Sequence, residues 1–498
     1  MTARLLKTIA SARSAAPAVT VAFAVALGQG TAWWLSANSC LALMAVAALL
    51  IASGHSALRW IFAGLLAGLC SCYAPLRHES PPFEAGSLGS PHLVRLLDSG
   101  RRGQPGRVTF FARDLLRASQ PLLHISAVEL PWRNAASLNS GDVIWVSGDT
   151  TETPRGPDPW SWDSFLWRRG VRAQVKARYV SMPVERLDAP MLLSARDWVR
   201  QETVRLLGER QGGWLFLSMA LGYRDVLSNT LESALSDLGL SHLLVVSGYQ
   251  VTMVFSVVSV PLGLLAGLLQ ASKWARHGVP AAALMLTGCY VAFIGGEPSA
   301  VRAMVAAIFV CAESLHESAR RFSQRWGIAL LAVQLVWPWA ALEIGVQLTF
   351  AALAGIGAGR CLGRGGAVRT FLWIQLSVWV LTGAIVVAWS GKVAWLGLLV
   401  NVALAPLWSA WNCIVGLGSF LFAALGVPGA ASVLCAVAVG NEFLALVATL
   451  ARESLGEGSV LEGASRWAVF LAYTLAGAVL LRVAARRSRS VTLRALAR

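Results

Sequence analysis

Residues 240–269, LSHLLVVSGYQVTMVFSVVSVPLGLLAGLL, would make an ordinary membrane span except that His242, Ser247, Gly248, Tyr249 and Gln250 crowd the first third. Polar groups within a span are costly and face a cavity or a partner, while a glycine lets a neighbouring backbone approach or the helix bend. On a continuous helix His242 and Gln250 stand slightly over two turns apart and share one face, turned towards a common lumen. His242, near the outer end, has the chemistry to carry a proton or to hydrogen-bond a phosphate. Arg302 follows GGEPSAV near an outer helix start and is placed to contact an entering phosphate backbone, or to pair with Glu297 at the membrane face. Gln347 and Asn401 add polar groups to other apolar runs. Each has two uses open to it, a wet internal path or an interhelical hydrogen bond that fixes packing.

A second cluster is PRGPDPWSWDSFLWRRG, where Trp160, Trp162, Phe165 and Trp167 stand beside Arg155, Arg168 and Arg169. Aromatic rings that stack on bases, interleaved with cations that meet phosphates, suit single-stranded nucleic acid. The same tryptophans would equally anchor a helix on a neighbouring domain or at the membrane interface.

The elements that must hold these groups follow from composition. Of 498 residues 56% are hydrophobic and 14% charged, and the mean hydropathy is +0.59, which excludes an ordinary soluble enzyme. Apolar runs predict spans near 242–270, 279–295, 299–315, 326–338, 343–359, 370–389, 393–425, 430–450 and 466–484. The run 393–425 is too long for one span and is expected as a broken or re-entrant helix, interrupted around Asn401, Pro406 and Asn412. Three shorter spans, 16–34, 38–53 and 57–73, precede the charged interval from 74 to 200. That interval reads as β, with RVTFFARDLL, HISAVELPW, GDVIWVSGD and VRAQVKARYVSM set between turn residues, and a small closed barrel is the economical fold.

Alternate loops carry Lys273, Arg276, Arg320, Arg321, Arg325, Arg360, Arg364 and Arg369, whereas the loops between them carry Lys392 alone. The basic loops, both termini and the tail RVAARRSRSVTLRALAR are therefore expected in the cytoplasm, and the soluble domain outside it. Positive loops explain much of the net charge of +16, so that charge is no argument for a ligand. All eight cysteines lie in or beside apolar segments, so no disulfide staples the outer domain.

At this point MALGYRDVLSNTLESALSDLGLSHLLVVSGYQVTMV resembles the central signature of the ComEC competence-protein family, inner-membrane DNA-uptake channels with a G-x-x-H-L-L-A-x-S-G run. GGEPSAVRAMVAA, EIGVQLTFAALAGIG, LLVNVALAPLWS and RGPDPWSWDSFLWRRGVRAQ are similar to further family segments in the same order. The resemblance implies a periplasmic OB-fold domain followed by a helical domain that passes one DNA strand inward. The expected architecture is mostly α: a polytopic helical membrane protein with an inserted OB-like β-barrel. Its expected parts are an N-terminal transmembrane region at 1–75, the soluble domain at 76–195, the channel domain at 196–487 and a basic tail at 488–498. The expected path residues are His242, Ser247, Gly248, Gln250, Glu297, Arg302, Gln347 and Asn401; the expected outer DNA contacts are Trp160, Trp162, Trp167, Arg168 and Arg169.

The chain departs from the family where its common SGLHV is SGYQV, so that Gln250 replaces a histidine. Seven histidines without an HxHxDH run leave no dinuclear metal site, and no P-loop is present, so neither metal nor other cofactor, and no catalytic residue, is expected. The expected partners are single-stranded DNA and the lipid bilayer, with a separate nuclease, a periplasmic DNA-binding protein and an ATP-driven helicase-like protein supplying what this chain lacks. A secondary transporter of a small or lipidic solute, and a transport-inactive paralogue, are the other readings left open.

Overall fold

The computed structural model describes most of residues 21–30 and 65–72, then 91–128 and 141–497 with short interruptions, the longest at 103–106, 154–157, 187–190, 269–272 and 316–321. Strands β1 (His92–Leu96), β2 (Arg101–Arg102), β3 (Arg107–Asp114), β4 (Leu122–Val128), β5 (Asp142–Glu152), β6 (Val171–Val180) and β7 (Glu185–Arg186) form one sheet. Five of them close in the order β1-β3-β4-β6-β5, with β5 returning to β1, and the short β2 and β7 flank β3 and β5. β4 and β6 run parallel and the other pairs antiparallel. This is the small closed barrel expected, with a Greek-key path, and closure leaves it no raw edge.

Alternation fills the barrel: Leu96, Phe110, Leu123, Ile125, Ile144 and Val175 turn inward with Val94, Val146 and the alanines of β3 and β6. One polar knot is buried with them. His92 Nδ1 lies 2.9 Å from Asp114 Oδ2, and its other ring nitrogen 3.2 Å from Thr150 Oγ1, joining β1 to both strands that it pairs with.

A seven-residue helix, α1 (Trp162–Arg168), interrupts the path from β5 to β6; Ser161 caps it, its hydroxyl accepting from the Ser164 N–H. Beyond the barrel come α2 (Met191–Leu207), α3 (Gln211–Leu221) and α4 (Asn229–Asp237), and then the apolar helices. These are α5 (Gly248–Leu268), α6 (Lys273–Phe293), α7 (Pro298–Leu315), α8 (Phe322–Val336), α9 (Ile344–Leu362) and α10 (Ala367–Ser390). A broken unit follows, α11 (Gly397–Ala403), α12 (Ala405–Ala410), π-helical Trp411–Gly416 and α13 (Leu417–Ala424), and then α14 (Ala430–Leu455) and α15 (Gly463–Ala497). Among the described residues six helices are long and apolar enough to cross a membrane: Gly248–Leu268, Ile344–Leu362, Ala367–Ser390, Ala405–Ala424, Ala430–Ser454 and Ser465–Arg487. Helices α6, α7 and α8 occupy the other spans expected.

The long run breaks at Leu404, two residues before Pro406, and is π-helical at Asn412. Proline removes a backbone donor and an amide inserts into the ladder, the ordinary causes of such breaks. Asn412 and Asn441 of α14 exchange amide hydrogen bonds at 2.9 and 3.1 Å, Trp408 donates to Asn441 Oδ1, and Asn441 donates to the Gly212 carbonyl. Gly212 is needed there because a Cβ would stand 1.8 Å from the Ala438 carbonyl oxygen.

Two expected boundaries fall inside helices. Residue 195 lies within α2, whose amphipathic turns carry the chain from barrel to bundle, and residue 487 lies within α15, which continues through the basic end to Ala497. Of the expected N-terminal spans, 38–53 and the ends of the other two lie outside the described residues; 24–30 and 65–70 are helical and cross with Gly28 against Gly68.

Helix ends are tied by side chains from elsewhere. Arg196 of α2 donates to the Phe293 carbonyl at the end of α6, Arg466 to Val387 and Ala388 at the end of α10, and Arg487 to Leu362 at the end of α9. Gln29 donates to the Gln334 carbonyl at the end of α8. A cation on a helix carbonyl end satisfies an orphan acceptor and the macrodipole together, worth roughly 0.3–1 kcal/mol each.

Candidate functional site

The outward residues of β3, β4 and β6 meet in rows set by strand register. Thr109 lies opposite Ser126, which neighbours Lys176; Phe111 lies opposite His124, which neighbours Gln174; Arg113 lies opposite Leu122. Helix α1 packs over the middle row, held by Gln174 Nε2 donating to Asp163 Oδ1 at 2.7 Å. Its Trp162 and Phe165 stand at i and i+3 and continue the row of rings. Centroids are 5.3 Å apart for Phe111 and His124, 5.7 Å for His124 and Trp162, and 5.2 Å for the stacked Trp162 and Phe165. Arg169 closes the row with its guanidinium 4.9 Å over the Phe165 ring. Trp162 is 56% exposed, and Arg113, Arg169 and Lys176 are exposed around it. Burial in this row pushes the His124 imidazole below its ordinary value.

The other side of α1 does something else. Trp167, 9% exposed, meets Trp339 edge-on at 5.9 Å, and Arg168 Nε lies 3.3 Å from Glu343 Oε1, at the residue that begins α9. The Arg168 side chain is 3% exposed; burial pulls its pKa down and Glu343 opposes the fall. Of the five expected outer contacts, then, Trp162 and Arg169 stand on the open face, Trp167 and Arg168 turn into the bundle, and Trp160 lies outside the described residues. Phe111 and His124 were missed, because they join the cluster only through strand register.

The expected path residues also divide. Helix α5 starts at Gly248, and His242 sits in a separate 3-10 turn, Ser241–Leu243, so the predicted shared face with Gln250 does not form. Gln250 is buried and donates to the Met219 carbonyl at 2.7 Å, whereas His242 is exposed with Nδ1 3.1 Å from the Gly239 carbonyl. Gly248 packs against Ala303, where a Cβ would be 3.2 Å away. Arg302 is buried between α7 and α9: its Nε donates to Thr349 Oγ1 at 3.2 Å, and a terminal nitrogen lies 2.8 Å from where a Cβ of Gly345 would be. Gln347 donates to the Ala341 carbonyl and accepts from Trp389 Nε1. Asn401 keeps a buried Oδ1 without a hydrogen-bond partner. Ser247 and Glu297 lie outside the described residues.

On α5 the exposed polar side chains are instead Tyr249, Thr252 and Ser256, at i, i+3 and i+7, one stripe of the helix. That spacing is present in the sequence itself.

A family model described as Competence protein matches residues 219–486, from the last turns of α3 into α15. No curated protein and no solved structure matches the chain.

Proposed function

This chain belongs to the Competence protein family, which gives it a role in DNA uptake, and from that premise we propose that it is the inner-membrane channel that passes one strand of incoming DNA to the cytoplasm. The barrel receives the strand outside the membrane and the helical domain conducts it. The observation that carries this reading is the row Phe111, His124, Trp162 and Phe165 with Arg113, Arg169 and Lys176 around it. It lies on the second and third barrel strands and on the loop between the fourth and fifth, surfaces on which an OB-fold takes oligonucleotides. A solute carrier has no use for such a face. The stripe Tyr249, Thr252 and Ser256, with His242 above it, supplies polar groups along the proposed path, and Arg302 lies behind the first turns of α9 at the same outer end.

Orientation supports the reading. Glu343, where the barrel docks, caps the start of α9, and the basic stretch Arg360 to Arg369 begins in the last turn of that helix and continues past it, about 28 Å away at 1.5 Å per residue. Positive loops remain in the cytoplasm, so the barrel is periplasmic and the basic C-terminal end of α15 is cytoplasmic.

The reading is tested by fluorescence anisotropy of an oligothymidylate on the full-length protein in lipid nanodiscs. With three phosphate-facing cations, log affinity should fall with log salt at a slope of about −2. Trp162→Ala should weaken binding about tenfold or more, the ordinary worth of one stacked base. Binding by Trp162→Ala equal to wild type would remove the barrel face from the account.

A further inference from the structure

The geometry points to α1 and the turn Trp339–Glu343 as a positioning joint that holds the strand-binding face over the mouth of the channel, with Arg168 and Glu343 as its positioning pair. This rests on the function proposed above and goes beyond it, because neither residue touches the strand.

Three observations converge. First, α1 is two-faced: Trp162, Phe165 and Arg169 make the open row, while Trp167 and Arg168, between them in sequence, are buried against the bundle. A seven-residue helix is about 10 Å long and turns as a unit, so displacement of either face moves the other. Second, the turn it docks on is fixed from two further sides. The Ala341 N–H donates to Gln29 Oε1 of the N-terminal region at 3.2 Å, and the Ala341 carbonyl accepts from Gln347, which in turn is held by Trp389 of α10. N-terminal region, barrel and bundle therefore meet at this one turn. Third, Glu343 leads straight into the residues that hold Arg302: Gly345 lies against its guanidinium and Thr349, one turn on, accepts from its Nε. A contiguous path of contacts thus runs from the stacking row through Arg168 and Glu343 to Arg302.

The chemistry of the pair suits positioning. The arginine side chain is 3% exposed and the glutamate 27%, so separating them takes from a desolvated guanidinium the carboxylate that offsets its burial most. An apolar joint would tolerate several registers, but a directional ion pair on a buried guanidinium, beside the Trp167 and Trp339 contact, favours one.

The experiment uses Arg168→Glu, Glu343→Arg and the doubly reversed chain, each in a strain deleted for the protein, with membrane abundance measured. Two readouts are taken: arrival of labelled DNA in the cytoplasm, and oligothymidylate affinity of the full-length protein in nanodiscs. Each single reversal should lower import about tenfold at wild-type abundance, a loss within the ordinary coupling of contacting charges, with oligonucleotide affinity unchanged. The double reversal should recover most of the import. Import equal to wild type in the singles, no recovery in the double, or affinity falling in parallel with import would each overturn the joint. If the singles fail to accumulate, Arg168→Gln replaces them, and wild-type import by that variant overturns the proposal. Wild-type protein that neither binds nor imports DNA would instead sink the function on which this inference rests.

Discussion

His124 lies in the middle of the ring row, and its protonation decides what that row costs to hold. Burial disfavours the imidazolium, so its folded pKa lies below the ordinary value of 6.5, and the unfolded chain takes up the proton more readily. The contribution to stability is therefore constant above 6.5, falls as pH drops below it, and levels off beneath the folded pKa. Replacing His124 by Phe keeps the ring and removes the titration. Between pH 7.5 and 5 the melting temperature of the full chain should accordingly drop less for His124→Phe than for wild type, whereas equal slopes would mean that the row does not desolvate this residue. The run of rings and cations in the sequence includes Trp162 and Arg169, and both stand on the open face of α1. Trp167 and Arg168 turn instead towards Trp339 and Glu343, because a strip read linearly has one side and the same letters wound at 3.6 residues per turn have two.

At the scale of elements, the apolar runs translated directly into helices because a backbone in hydrocarbon must satisfy itself within the segment. The break at Leu404 followed from Pro406 and the neighbouring asparagines for the same reason. The boundaries at 195 and 487 were not legible, since polar, amphipathic α2 and the basic end of α15 look like linker and tail until their helical turns are seen. Nor was the close crossing of α3 and α14. Gly212 and Gly263 read alike in sequence, yet a Cβ on Gly212 would collide with the Ala438 carbonyl and one on Gly263 would meet nothing within 4 Å. Gly212→Ala should therefore force the helices apart, break the Asn441 contact to the Gly212 carbonyl and leave little protein in the membrane, while Gly263→Ala accumulates normally. Quantitative immunoblots of membrane fractions decide this, and equal abundance of the two variants would contradict the packing described.

The whole molecule is a barrel docked through α1 on the turn that begins α9 of a helical bundle, with the basic stretch from Arg360 to Arg369 at the other end of that helix. Fold class and family were readable from composition, span order and the signature around residues 219–254, because hydropathy and motif order survive without contacts. The hydrogen bonds that Gln250, Arg302 and Gln347 make between elements were not readable, because partners far apart in sequence leave no mark on hydropathy or motif order. The exposed stripe Tyr249, Thr252 and Ser256 of α5 adds polar groups for the proposed path. Cytoplasmic arrival of labelled DNA, in a deletion strain carrying wild type or Trp162→Ala at equal abundance, tests that account most directly. The account predicts no import on deletion, recovery with wild type and a substantial loss with Trp162→Ala; undiminished import in the deletion strain would contradict it.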